Sequence, residues 1–247
     1  MKVSIITVCY NSASTVEKTI LSVKNQTYTN IEHLIIDGFS TDGTCSIIEE
    51  HLTPKIKFIS EKDSGLYDAM NKGILMASGD LVGILNSDDI FFNDEVVADI
   101  VNFHQKNIID ASIGDIVQFN ESGKKVRTYS SKNWNPNKLK FGFMPPHPSI
   151  FFSTELFKRY KNYHLDFRSG ADYELIVRFF LKNKIKWKYS NVTTTKMLLG
   201  GISSSGLKSY LMIFNEICIA LSRNKIQYSK TIILFRGIWK IFGFINK

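Results

Sequence analysis

Short apolar runs rich in β-branched residues alternate with longer segments of helical periodicity in the first part of the chain. Residues 3–9 (VSIITVC) predict a buried strand. Ser14 and Glu17 stand at the S-x-x-E spacing of a capping box and predict a helix running to about Gln26. Further strands are predicted over 31–37, 56–60 and 81–85, and helices over 43–52, 66–77 and 94–105. Ser78-Gly79 supplies the stop after the third helix. Alternating β and α units predict an α/β fold with a mostly parallel central sheet flanked by helices on both faces.

After Asp110 the pattern loosens. Strands are predicted over 111–118 and 124–129, then a loop rich in Asn, Pro and Lys over 130–148. A short strand follows at 149–152, an amphipathic helix at 170–182 and a strand at 185–189. Gly200-Gly201 and Ser203–Ser205 mark a flexible loop, and the C-terminal segment predicts two helices. The expected division is a domain over 1–205 and a basic, amphipathic helical tail over 206–247.

In parallel α/β sheets, ligands bind beyond the carboxyl ends of the strands. Here those ends are polar. The first strand ends in Tyr10-Asn11, the second in Asp37-Gly38 with Asp42 nearby, and the fourth in Asn86-Ser87-Asp88-Asp89. The first strand-to-helix turn carries no glycine, so the G-x-G-x-x-G fingerprint is absent, and no G-x-x-x-x-G-K-[ST] loop occurs. A bound nucleotide would therefore need another counter-charge for its phosphates. Asp88 and Asp89 can supply it by holding Mg²⁺ or Mn²⁺; the alternative is that one of them caps the next helix. Asp37 can accept from a base imide or a ribose hydroxyl, or can serve as a turn aspartate before Gly38. Asp172, following Ser169-Gly170-Ala171, stands where a helix cap would. His147 is held between Pro146 and Pro148.

Charge narrows the classes further. The net charge is +8, but seven cations and one anion (Glu216) fall from Gly206 onward, so the body of the chain is close to neutral. A nucleic-acid-binding domain would carry a basic body, so nucleic acid is not an expected partner. Cys9, Cys45 and Cys218 fit neither a zinc site nor a disulfide framework and suit a cytoplasmic protein. Neither a cleavable leader nor a transmembrane span is expected.

Five ordered motifs, VSIITVCYN, QTYTNIEHLIIDGFSTDGT, SEKDSGLYDAMNKGILMASGDLVGILNSDD, HPSIFF and SGADYELIVRF, span residues 1 to about 205. They resemble the family 2 glycosyltransferases of the GT-A nucleotide-binding fold, especially those that assemble bacterial surface polysaccharides. The resemblance implies inverting transfer of a sugar from a nucleoside-diphosphate sugar, most often a UDP-sugar, to a hydroxyl of a glycan or lipid-linked acceptor. It implies Tyr10 near the base, Asp37 on base or ribose, Asp88 and Asp89 on metal and diphosphate with Asp89 the direct ligand, and Asp172 as catalytic base. Lys72 would add a second cation unless it is a solvated helix lysine. Two positions depart from the pattern: Asn86 stands where many members carry Asp, and Ala171 where many carry an acidic residue. Metal coordination is therefore expected to lean on the later pair.

Two other classes share some of these features. A sugar-phosphate nucleotidyltransferase should show a glycine- and arginine-rich loop after the first strand, and a non-catalytic sugar-nucleotide-binding protein should have lost an acidic cluster. Segments 133–148 and 199–205 are expected to border the acceptor, with His147 facing it. If 231–247 is helical, Arg236, Lys240 and Lys247 form a basic stripe on an apolar helix. Such a helix suits peripheral contact with the inner face of the cytoplasmic membrane, or packing on the protein itself.

Overall fold

Residues 3–9 are buried at every position, and so are residues 31–37. Strands covered on both faces need near-continuous apolar runs, which both segments have. They form β1 (Val3–Cys9) and β2 (Ile31–Asp37), at the centre of a parallel set with β3 (Ile56–Ser60) and β4 (Leu81–Ile84). The computed structural model describes residues 1–120, 122–198 and 207–236. The remaining strands are β5 (Asp89–Phe91), β6 (Ala111–Phe119), β7 (Lys125–Tyr129), β8 (Ile150–Ser153) and β9 (Trp187–Leu198). Together they make a nine-stranded sheet of order β3-β2-β1-β4-β8-β6-β9-β5, with β7 paired to β6.

The parallel arrangement expected from the sequence holds from β3 to β4. Beyond it the sheet is mixed: β4–β8, β8–β6, β6–β7 and β9–β5 pair antiparallel, and β6–β9 parallel.

Five helices flank the sheet: α1 (Val16–Lys24), α2 (Thr44–Glu50), α3 (Leu66–Met76), α4 (Val96–Lys106) and α5 (Glu155–Tyr160). One core cluster joins Val3, Ile5, Leu81 and Phe151 of the sheet to Val23 of α1 and Val97 and Ile100 of α4. Another joins Cys9 and Ile35 to Val16, Ile20 and Ile48. On the opposite side of β1, α3 packs so closely that a Cβ on Gly73 would lie 2.5 Å from Ile6. These strands and helices belong to one compact unit, Met1–Lys132, Pro145–Tyr163 and Ile185–Gly201.

A second unit comprises Asn133–Met144, His164–Lys184 and Ile202–Lys247, a division that differs from a single cut after residue 205. It contains α6 (Ala171–Ile176), a π-helical turn over Val177–Lys182, α7 (Leu207–Arg223) and α8 (Lys230–Leu234). The helix expected over 170–182 forms, but it is buried along most of its length and changes to π geometry midway. Its Glu174 is fully buried and takes Arg178 Nη2 at 2.8 Å and Asn224 Nδ2 at 2.9 Å.

Two further expectations change. The capping box does not form: α1 starts at Val16, and the Ser12 carbonyl accepts the amides of Thr15 and Val16 at 3.0 and 2.9 Å. With those donors satisfied by backbone, Glu17 instead faces His51 at 3.4 Å. Arg236 does not join a solvent-facing stripe. It is buried and its Nη1 donates to the Gly142 carbonyl at 2.9 Å, because Gly142 turns with φ +80° and presents that oxygen. Lys240, Lys247, Gly200-Gly201 and the 199–205 segment lie outside the described residues. Among the described residues no helix is long and apolar enough to cross a membrane.

Candidate active site

Strand register assembles one polar edge in the first unit. Cys9 pairs with Asp37, and Asp37 with Ser60, so the residues that follow β1, β2 and β3 leave the sheet side by side. Tyr10 emerges 65% exposed. Its ring lies against Gly38, where an added Cβ would sit 3.5 Å from Tyr10 Cδ2 and only 2.6 Å from Asp63 Oδ2. Glycine at 38 therefore lets Asp63 and Tyr10 close on the same backbone. Phe39 follows at φ +70°, exposed, with the Lys62 ammonium 5.8 Å from its ring centre. Two solvent-facing aromatic rings beside a carboxylate can stack a planar base and offer it an acceptor. Sequence reasoning passed over Phe39 and Asp63; the Gly38 and Gly65 that flank them were the available signal.

Asp37 is fully buried, and its own chain fills its oxygens. Oδ2 accepts the Ser40 amide at 2.9 Å, Ser60 Oγ at 2.7 Å and Cys45 Sγ at 3.3 Å, while Oδ1 accepts Ser40 Oγ and Cys9 Sγ. Burial opposes ionisation, but these donors outweigh it and hold the carboxyl below its ordinary range. Asp42 works in the same way, accepting from Ala13 N at 3.0 Å and Thr44 N at 3.1 Å. Thr44 Oγ1 in turn holds the Ser12 amide at 2.8 Å, and Ser12 Oγ meets Ser87 Oγ at 2.9 Å. The loop after β1 is thus tied directly to the acidic turn after β4.

In that turn the paired carboxylates differ. Asp88 is exposed, whereas Asp89 is fully buried as the first residue of β5. Asp89 Oδ2 accepts Asn86 Nδ2 at 3.3 Å. Its Oδ1 and Asn86 Oδ1 are buried with no hydrogen-bond partner among the described residues. Burial, and then the neighbouring Asp88, pushes the Asp89 carboxyl up to about 8, against the pull of Asn86. Unpaired buried oxygens beside a solvent-facing carboxylate form a hard-donor set that fits Mg²⁺ or Mn²⁺. No group of three or more His, Cys, Asp or Glu is gathered for a metal among the described residues. An ion here would complete its shell with water and phosphate oxygens, as Mg²⁺ sites commonly do.

Two expected site residues are engaged elsewhere. Lys72 is not a free cation, because its Nζ meets Glu61 Oε1 at 2.8 Å and donates to the Lys62 carbonyl at 3.0 Å. His147 is not an open loop histidine. It is buried, its Nε2 lies 2.6 Å from Tyr163 Oη, and burial lowers its pKa to about 4. Tyr163 is itself fixed, stacked on Tyr67 at 5.6 Å, with its backbone N–H and C=O both bonded to Asn71 at 2.9 Å. His147 therefore braces α3 and the end of this unit.

In the second unit, Asp172 lies in the first turn of α6, half-buried, its Oδ1 accepting the Tyr173 amide at 2.7 Å. The N-cap position belongs to Gly170, and no side chain of the helix caps it. Residues 133–144, expected to border an acceptor, bury Trp134 and Leu139 within this unit.

A mixed sheet of this order, helices on both faces and an acidic turn after the fourth strand define the GT-A fold class. A sequence model described as Glycosyl transferase family 2 matches residues 4–170, and the chain belongs to that family. A glycosyltransferase of Mycobacterium tuberculosis with no assigned activity is 34% identical over 181 residues, covering 71% of this chain and 68% of that protein. S. aureus TarS (residues 1–349), in complex with UDP-GlcNAc, is similar in fold with a TM-score of 0.71 at 19% identity, over 94% of this chain and 70% of that one. A mannosyltransferase from Pyrobaculum calidifontis, in complex with GDP-Man and Mn²⁺, gives a TM-score of 0.62 at 16% identity, over 98% and 80%. At these identities the structural likeness is one of fold.

Proposed function

We propose that this protein is an inverting, metal-dependent glycosyltransferase. It moves a sugar from a nucleoside-diphosphate sugar to a hydroxyl of a glycan or lipid-linked acceptor during polysaccharide assembly at the cytoplasmic membrane face. The observation that carries this reading is a pair of buried oxygens without a hydrogen-bond partner among the described residues, Asp89 Oδ1 and Asn86 Oδ1, behind the exposed Asp88. The UDP-GlcNAc complex of TarS supports a UDP-sugar as donor.

Tyr10 and Phe39 stack the base, and Asp63 offers it an acceptor. Asp37 acts through Ser40 and Ser60, holding the loops that carry Phe39 and Asp63. Asp88, with Asp89 and Asn86 behind it, holds the cation; when bound, the cation supplies positive charge to the departing diphosphate. Asp172 takes the proton of the acceptor hydroxyl as that oxygen bonds to the anomeric carbon. The bond from that carbon to the diphosphate oxygen breaks on the opposite face, so the configuration inverts.

The test is a thermal-shift screen of UDP, GDP, ADP and CDP with and without Mn²⁺. A diphosphate at about a hundredfold over its Kd should add about 2.7 kcal/mol of stability. The expected result is a UDP shift that requires Mn²⁺ and is lost in Asp88→Ala. No Mn²⁺-dependent shift with any diphosphate would overturn the reading. Release of pyrophosphate from a nucleoside triphosphate and a sugar phosphate would assign the protein to nucleotidyl transfer instead.

A further inference from the structure

Helix α7 lies beyond the 4–170 span matched by the family, in the segment that reads from sequence as a tail. Within the second unit it grips the stretch around Asp172 at three places. Arg223 pairs with Asp166, with Nη1 3.0 Å from Oδ1 and Nη2 on Oδ2. Asn224, just past the helix end, bonds Glu174 at 2.9 Å. Earlier in α7, Glu216, only 9% exposed, turns its carboxylate onto the backbone leading into α6. Oε1 accepts the Arg168 amide at 2.7 Å, and Oε2 the Ser169 amide at 3.0 Å. The approach is close: a Cβ on Gly170 would lie 3.0 Å from Glu216 Oε2 and 3.1 Å from Glu216 Cβ.

These contacts bracket Asp172. Asp166, Arg168 and Ser169 precede it, Glu174 follows it, and the hydroxyl of adjacent Tyr173 donates to the Leu139 carbonyl. A charged acceptor on two consecutive amides is strong and directional, and small misplacements of a proton acceptor cost rate steeply. We infer that Glu216 is a positioning residue for Asp172, and that α7 is thereby part of the catalytic apparatus. The inference rests on the reading of Asp172 as the base.

Glu216→Gln keeps the side chain's size but sets an amide N–H₂ against one backbone N–H. Turnover is measured as UDP release from UDP-glucose, UDP-galactose, UDP-GlcNAc and UDP-GalNAc, and binding as the Kd of UDP with Mn²⁺. The same substitution is made in Asp172→Asn. The expected result for Glu216→Gln is a turnover loss of about tenfold or more, with the UDP Kd within about twofold of the parent. In the Asp172→Asn background the added loss should be under about twofold, because no base remains to be misplaced. Parental turnover in Glu216→Gln overturns the inference, as does an equal loss in both backgrounds or a loss carried by UDP affinity. Hydrogen exchange at the Arg168 and Ser169 amides gives a second readout: faster exchange is expected in Glu216→Gln, and parental protection overturns the inference without any substrate. If Asp172→Asn alone keeps parental turnover, it is the base assignment that fails.

Discussion

Asp37 and Asp89 are both fully buried carboxylates at the polar edge of one sheet, and their surroundings drive them in opposite directions. Donors from Ser40, Ser60, Cys45 and Cys9 fill Asp37 and lower its pKa. Asp89 has one long bond from Asn86 and an oxygen with no partner among the described residues, and it is pushed up to about 8. A buried charge without partners is costly, and such groups concentrate at functional sites. The contrast separates two states within one acidic edge: the oxygens of Asp37 are filled by donors, and Asp89 keeps one oxygen unfilled among the described residues, as the proposed cation site requires.

The sharpest way to break this comparison is Asp37→Ala. It strands the Ser40 amide and the Ser60 hydroxyl and should cost about 3 kcal/mol or more. For a chain of this size that lowers Tm by roughly 6–12 °C in calorimetry. A loss under about 1 kcal/mol would show that Asp37 is not architectural. Asp89→Ala should do the reverse. Metal-free stability should hold or rise, while the Kd of UDP in Mn²⁺ rises about hundredfold, equivalent to about 2.7 kcal/mol by titration calorimetry. Unchanged affinity would remove Asp89 from the cation site.

The two residues should also differ in their response to pH. Asp37, with its pKa lowered from 3.8, contributes stability above that value and loses it as pH falls through its folded pKa. Asp89, raised from 3.8 to about 8, contributes stability at low pH and loses it as pH rises through about 8. In chelator-treated protein, Tm should fall between about pH 4 and pH 8. Asp89→Asn should flatten that decline while leaving the loss at lower pH intact. The smallest effect is expected at Lys72, whose pair with Glu61 is partly exposed. Lys72→Ala should cost under about 1 kcal/mol of stability and leave the UDP Kd within about twofold; a larger rise would return Lys72 to the phosphate site.

Much of the first unit was legible in the sequence because its signals are local. The central strands are uninterrupted apolar runs, and their polar ends announce the site edge. What escaped was short or dependent on distant partners. β5 has three residues and α5 six, too few to show a period. His147 looks solvated between two prolines, yet Tyr163, 16 residues on, buries and bonds it.

By itself the sequence determined the alternation of strands and helices, the positions of Tyr10, Asp37, Asp88 and Asp89 at strand ends, and the motif order that marks the family. Only the tertiary structure decided which of those carboxylates are filled and which are open. Hydrogen-bond saturation depends on residues that local pattern does not connect: Ser60 reaches Asp37 from 23 positions away, and Glu216 reaches Arg168 from 48. Periodicity along the chain reports which face of an element is buried. The partner waiting there is set by register and packing, and in this protein it separates an aspartate filled by donors from one with an unfilled oxygen among the described residues.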